Sequence, residues 1–426
     1  MRLKMLAISV SIILLSFPNA IASSFDNQES YISEIPDSHI IEGIPYIAQT
    51  EGYFCYYADI TMILNHLGHD VSIEDILFYD GLGYIHSYDI LDRLPHEGCY
   101  CNLSFVFDLF GLKSNTWYPN KNSEDYWNDY YNRVKENIIN DKPVITRADP
   151  FSLTSLRNQF SIPDIIWNVL FPPGHHLILI VGFNESNNTI CYNDPNAGLY
   201  GEDRYGNYSW MNINDFRNAV EINTWFPYLI QTFDQISQAY SKEKRFEKAI
   251  QSNILKQEGN YSKHWPFHGI NGSKRMKIDY LQGESRTYTI NLYKKYGETG
   301  LNYTFKEIMF KLFLKFLPNR PNPFHIFMVG EESPFESIAR EKDHIANYLE
   351  TNDIYQEFCE NQSLLLRKES SLWHELSKSY NVFKRRGLNL LNIRANIIMD
   401  KMEKALENII SNEQDIINDF YNNWES

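Results

Sequence analysis

HLILIVGFNESNNTICYNDP, residues 176–195, is the stretch that decides the fold. Its first part, HLILIVGFN, is a continuous apolar run, the pattern of a strand covered on both faces. TICYNDP supplies a second strand, and the polar FNESNN between them is rich in turn formers. The three pieces predict an antiparallel hairpin with its turn near Ser186. His176 then opens one strand and Asp194 closes the other. The spacing predicts that an imidazole and a carboxylate meet across the open end of the sheet.

Working outward, the next informative stretch is QTEGYFCYYADITMILNHLG, Gln49 to Gly68. Ile60, Ile63, Leu64 and Leu67 fall at helical spacing, and Gly68 is placed to end the helix. Cys55 stands in the first turn. A thiolate there is favoured by unpaired backbone N–H groups and by the helix dipole. A nucleophilic thiol needs a base, and the base needs an acceptor to orient it. His176 and Asp194 fit those two roles. Gln49, six residues before the thiol, can donate its side-chain amide to an oxyanion together with the backbone N–H of Cys55. Each piece has a plain structural reading: a buried thiol or half a disulfide, a structural histidine, a simple Asp-Pro turn. Together they form the set that acyl transfer from an amide requires.

With these residues in place, the chain resembles the papain-like cysteine peptidases, specifically the bacteriocin-leader-processing peptidase domain. The resemblance covers residues 41–205 and rests on PYIAQ, CYYA with MILNHLG, HLILIVGFN and NDPNAG. It implies an α+β, papain-like fold with an N-terminal helical lobe and an antiparallel sheet lobe. It also implies Cys55 as nucleophile, His176 as base, Asp194 as its orienter and Gln49 as oxyanion donor. His176 is preferred to His175 because it stands six residues before Gly182. The family has Cys-Gly-Pro-Ala where this chain has Cys55, Tyr56, Tyr57 and Ala58, which implies an altered groove. SIEDILFYDGLGYIHSY and ITRADPFSL are similar to the N-terminal domain of the butirosin-biosynthesis acyltransferase family, which implies amide formation from an acyl thioester as an alternative chemistry.

The remaining segments set the organisation. EGIPYIAQ reads as a short strand and loop. Ser72 with Asp75 forms a loose capping box before another helix. NDYYNRVKENIIND reads as a helix and KPVITRAD as a strand. MNINDFRNAV and TWFPYLIQTF close the first half. From residue 231 the chain reads as mostly α-helical: FDQISQAYSKEKRFEKAIQSNILKQ, then FKEIMFKLFLKFL ended by Pro318, then three long helical patterns over residues 331–421. The apolar stripe of FKEIMFKLFLKFL is read as a buried face rather than a membrane contact. The expected division is therefore a signal peptide at 1–22, an extended lead-in at 23–40, a catalytic domain at 41–230 and a helical domain at 231–426.

The signal rests on Arg2 and Lys4 ahead of LAISVSIILLSF, with small residues Ala20 and Ala22 after it. An uncleaved anchor is the alternative. The 426 residues carry 39 Lys+Arg against 54 Asp+Glu, a formal charge of −15. Such a chain repels nucleic acid and anionic membrane surfaces at long range. No stable membrane insertion is expected once the signal is removed. Five cysteines in an exported chain leave one over. Cys55 is the expected free thiol, with Cys99, Cys101, Cys191 and Cys359 available for disulfides of open connectivity. HEGCYC is read as disulfide-forming rather than metal-binding, and HWPFHG as a solvated loop. No cofactor or metal is expected. The function expected is an exported cysteine hydrolase acting on a peptide or amide. An acyltransferase and a catalytically silent binding protein are the alternatives.

Overall fold

The computed structural model describes residues 36–50, 54–89, 94–97, 103–118, 125–155, 176–200, 203–221, 228–259, 269–281, 334–386 and 392–424. The expected signal at 1–22, the pair Cys99 and Cys101, most of HWPFHG and the whole of FKEIMFKLFLKFL lie outside these residues.

The strands are β1 (Ser38–Ile40), β2 (His86–Asp89), β3 (Leu94–Glu97), β4 (Leu112–Trp117), β5 (Val144–Ala148), β6 (His176–Asn184), β7 (Thr189–Asn193), β8 (Ser209–Asn212) and β9 (Ile230–Gln235). Seven of them form one antiparallel sheet in the order β4-β9-β5-β6-β7-β8, with β1 paired to β6. β2 and β3 pair separately. The apolar run of β6 is explained by its place at the centre: it is flanked by β5 and β1 on one side and by β7 on the other.

The helices are α1 (Cys55–His66), α2 (Ile73–Asp80), α3 (Leu103–Leu109), α4 (Tyr126–Ile139), α5 (Ile213–Glu221), α6 (Lys242–Gln257), α7 (Gly269–Leu281), α8 (Pro334–Glu350), α9 (Gln356–Arg386) and α10 (Asn392–Trp424). The predicted capping box is present at α2: the Asp75 N–H donates to Ser72 Oγ, and the Ser72 N–H donates to Asp75 Oδ2. Mixed sheet and helices make an α+β arrangement.

Four local expectations are corrected. EGIPYIAQ holds no strand; the pairing segment lies just before it, at β1, whose three residues pair with Gly182, Phe183 and Asn184 of β6. The helical pattern read from residue 233 begins only at Lys242, where Ser241 Oγ caps the Lys244 N–H; residues 230–235 belong to the sheet. The β6–β7 pairing centres between Ser186 and Asn187 and shifts once between Ile180 and Gly182, so Leu179, not a residue nearer the strand start, faces Asn193. Cys191 and Cys359 are free and buried rather than disulfide-bonded. Burial pushes both thiols up to about 12.

One apolar core runs from the sheet through α1 and α2 into α6, α8, α9 and α10. Phe78 of α2 stacks on Phe246 of α6, with centroids 4.9 Å apart. The end of α2 is held by the helical half as well: Lys256 Nζ donates to the Asp80 carbonyl at 2.7 Å, and Lys342 Nζ donates to the Gly83 carbonyl at 2.8 Å. Cations at a helix C-terminus complement its dipole. Gly81 caps α2 in the left-handed region (φ 99°), where a Cβ would come within 2.6 Å of Lys256 Nζ. A second apolar cluster, around Trp373 and Met399, sits within α7–α10.

Candidate active site

Three chain segments converge at one end of the sheet. α1 delivers Cys55 as its first residue. β6 delivers His176 as its first residue, and Asp194 follows the last residue of β7. Because of the register offset, β6 runs on past the end of β7, and His176 has no partner on that strand. Asp194 instead reaches it from the turn, where a 3-10 helix, Pro195–Tyr200, begins. The contact is direct, with His176 Nε2 2.7 Å from Asp194 Oδ1. The predicted pair therefore forms, by turn geometry rather than by cross-strand opposition.

The carboxylate is fixed by further donors. The Asn196 N–H donates to Oδ1 at 2.9 Å, and Ser155 Oγ donates to Oδ2 at 2.6 Å. Ser155 is itself held, its Oγ accepting from the Tyr192 hydroxyl. With its orientation set on both oxygens, Asp194 directs one ring nitrogen of His176 and leaves the other for Cys55. The Cys55 side chain acts on the His176 ring together with Asp194. Burial works against the imidazolium, but the Asp194 charge, its hydrogen bond and the thiol outweigh it. They hold His176 protonated up to about 10.

Cys55 is 6% exposed and free. The residue before it, Phe54, supplies no side-chain cap to α1. The first N–H groups of the helix are thus not engaged by a capping side chain, and they point toward the sulfur end. Gln49 is buried, and its backbone N–H donates to the Pro195 carbonyl at 3.0 Å. That bond ties the segment carrying Gln49 to the residue next to Asp194. Tyr46 strengthens the tie, its hydroxyl donating to the Asp194 carbonyl at 2.8 Å.

The two tyrosines after Cys55 have separate structural roles. Tyr57 is fully buried and donates to Asp80 Oδ2 at 2.5 Å, pinning α1 to α2. Tyr56 turns the other way and donates to Gln231 Oε1 at 2.6 Å. Only Tyr56 therefore borders the sulfur side of the sheet end.

Two charged residues were missed by sequence reasoning. Asp59 lies one helical turn after Cys55, on the same face. It is 0% exposed, and among the described residues neither carboxyl oxygen has a hydrogen-bond partner. Burial, then the Cys55 charge, pushes its carboxyl well above the usual range; His176 opposes this and Asp194 adds to it. The i, i+4 spacing was visible, but nothing in the sequence distinguishes this aspartate from a solvated one. Arg147 of β5 stands one residue before Ala148, which pairs with His176. Ser155 and Asn196 also carried no signal, since their role depends on where Asp194 ends up.

Among the described residues, no group of His, Cys, Asp or Glu is arranged to hold a metal ion. No helix among them is long and apolar enough to cross a membrane.

Residues 41–219 match the model of the Peptidase_C39 like family. The match spans α1, β6, β7 and all four predicted site residues, and it points to a cysteine peptidase-type hydrolase. No curated protein matches the chain.

Proposed function

We propose that the chain is an exported cysteine peptidase or amidase working through Cys55, His176 and Asp194. The observation that carries this reading is the His176–Asp194 contact at the sheet end, with Cys55 at the N-terminus of a buried helix acting on the same ring. In this mechanism the Cys55 thiolate attacks the amide carbonyl carbon. The oxyanion accepts hydrogen bonds from the Gln49 side chain and the Cys55 backbone N–H. His176 gives its proton to the departing amine as the C–N bond breaks, leaving a thioester. Water then attacks the thioester, His176 takes a proton from it, and the carboxylic acid and free thiol are regenerated. Asp194 holds the ring through both steps without itself being protonated. N-terminal sequencing of the chain recovered outside the producing cell tests the export part of the proposal, with cleavage expected after Ala22.

Acyl transfer from a thioester would use the same three residues and differ only in the acceptor. Hydrolysis is the reading supported by the family match. Incubation with a peptide-derived thiol-reactive probe tests it. Wild type is expected to label at Cys55, and Cys55→Ala to remain folded and unlabelled. Equal labelling of Cys55→Ala refutes it. Amide product in place of free acid, when an acyl thioester and an amine are both supplied, would favour transfer.

A further inference from the structure

The sheet end that holds His176 carries a second feature on the side of Cys55 away from Asp194. β4, β5 and β9 bring Trp117, Ala148 and Ile230 to the same end, because β4 and β5 each run antiparallel to β9. Directly opposed residues of an antiparallel pair project to one face, and so do residues two apart along a strand. Ile145 opposes Gln231, and Arg147 follows Ile145 by two. Arg147 and Gln231 therefore share a face. That face is the one on which α1 lies, since the Tyr56 hydroxyl reaches Gln231 at 2.6 Å. Tyr56 adjoins Cys55 in sequence. Arg147 is half-buried on this face, and the groups whose charge acts on its guanidinium are Tyr118, Tyr56 and Cys55. Tyr118, next after β4, is 53% exposed and forms the outer rim of the same row.

We propose that Arg147 is a specificity-determining residue that receives a carboxylate of the substrate beside the scissile bond, so that the enzyme prefers peptides or amides with an acidic group at that position. This rests on the Cys55–His176–Asp194 reading of the site. A guanidinium is planar and always charged, and its fork matches a carboxylate in two parallel hydrogen bonds. Half-buried, it is screened less than a surface charge. In a chain with a formal charge of −15 it supplies a positive centre where an anionic substrate would otherwise meet repulsion.

Two small alkylating agents test this without knowledge of the natural substrate. Iodoacetate and iodoacetamide both form a sulfur–carbon bond to Cys55 and release iodide; they differ only in a carboxylate against a carboxamide beside the reacting carbon. The ratio of their rates at Cys55 is measured in wild type, in Arg147→Gln and in Arg147→Lys, with Cys55→Ala as background. The wild-type ratio is expected to exceed that of the same chain unfolded in urea by about tenfold, to fall about tenfold in Arg147→Gln, and to be partly kept in Arg147→Lys, a point charge without the fork. A ratio unchanged in Arg147→Gln overturns the proposal, even if both rates fall, because a guanidinium that only steadies the thiolate slows both reagents alike. A measurement on unaltered protein guards against misfolded variants: glutarate is expected to slow iodoacetamide labelling, and uncharged glutaramide is not. Equal protection by the two overturns the proposal. If folded Cys55 is no more reactive than unfolded Cys55 toward either reagent, the catalytic reading fails first, and this proposal with it.

Discussion

Asp59→Ala is expected to stabilise the protein, by an amount that grows with pH. The carboxyl is fully buried with no hydrogen-bond partner on either oxygen among the described residues. An unsatisfied buried polar group costs about 1–3 kcal/mol even when neutral. Alanine also favours the helix over aspartate by roughly 0.5 kcal/mol, partly offset by the small volume removed. The pH-dependent part is larger. Burial and the Cys55 charge raise the folded carboxyl well above its ordinary value, whereas the unfolded chain releases this proton near about pH 3.9. Between those two values the folded state holds one proton more than the unfolded state, so wild-type stability falls as pH rises, by about 1.4 kcal/mol per pH unit. Below the unfolded value both states hold the proton and this difference vanishes; above the folded value it is constant. Urea unfolding of wild type and Asp59→Ala at pH 4, 5 and 6 reads it directly, since groups unaffected by the substitution cancel in the difference. A difference that widens by about 1.4 kcal/mol per unit is the expected result. In a Cys55→Ala background the window narrows, because the thiolate is one cause of the shift. A flat difference across these pH values, or an alanine variant less stable than wild type throughout, refutes the reasoning.

Three further outcomes follow from the contacts. Asp194→Asn keeps the shape but loses the carboxylate that orients His176; alkylation of Cys55 at neutral pH is expected to slow by roughly 10²–10⁴-fold, and a change under threefold would contradict the assigned role. His176 is held protonated up to about 10 in the fold, so its contribution to stability is full below the unfolded value of about 6.5 and disappears as pH rises toward the folded one; the stability gap between wild type and His176→Gln is expected to shrink across that interval, and a gap that widens with pH refutes the sign. Lys342 and Glu369 form a buried pair at 2.7 Å, 1% and 0% exposed; Lys342→Met should cost about 3–5 kcal/mol in urea unfolding by leaving the carboxylate uncompensated, and the double variant Lys342→Met with Glu369→Gln should recover most of it.

The residues of the site were legible because each belongs to a local pattern. Cys55 opens an amphipathic helix, His176 opens an apolar strand, and Asp194 precedes proline at a strand end. Such patterns depend on neighbours a few positions away, which a sequence displays. What escaped depends on distant parts of the chain. Asp59 is unusual because the fold buries it beside Cys55, within reach of the charges of His176 and Asp194 from over a hundred residues later. Arg147 acquires its setting from Gln231 and Tyr56 across two strands. The β6–β7 pairing turns about Ser186–Asn187 and shifts once at Ile180–Gly182, details that alternation alone does not reveal. Cys191 and Cys359 were left available for disulfides because cysteine counting carries no information on where each thiol lies; both are free and enclosed in the core.

The helical half also has a physical connection to the nucleophile that its sequence gave no reason to expect. Asp80, the last residue of α2, is gripped twice. Its carboxylate accepts from Tyr57, two residues after Cys55, and its carbonyl accepts from Lys256 of α6. Two residues beyond the Gly81 cap, Gly83 accepts from Lys342 of α8, and Tyr84 donates to Gln362 of α9 at 3.2 Å. Each of these bonds is buried, where a lost partner leaves an unsatisfied group rather than a hydrated one. The first turn of α1 is therefore supported from beneath by α2, and the end of α2 by α6, α8 and α9. Displacing those helices would loosen the end of α2 before it touched Asp194, which is held from the other side by Ser155 and Asn196. It follows that damage to the helical half should reach the site through the position of Cys55, while the His176–Asp194 contact persists. Lys256→Met distinguishes the two ends: slower labelling of Cys55 is expected with His176 lowered by the lost thiol yet still held above a free imidazole by Asp194, and a His176 that no longer titrates above a free imidazole would show that the buttress supports the whole site rather than the nucleophile alone.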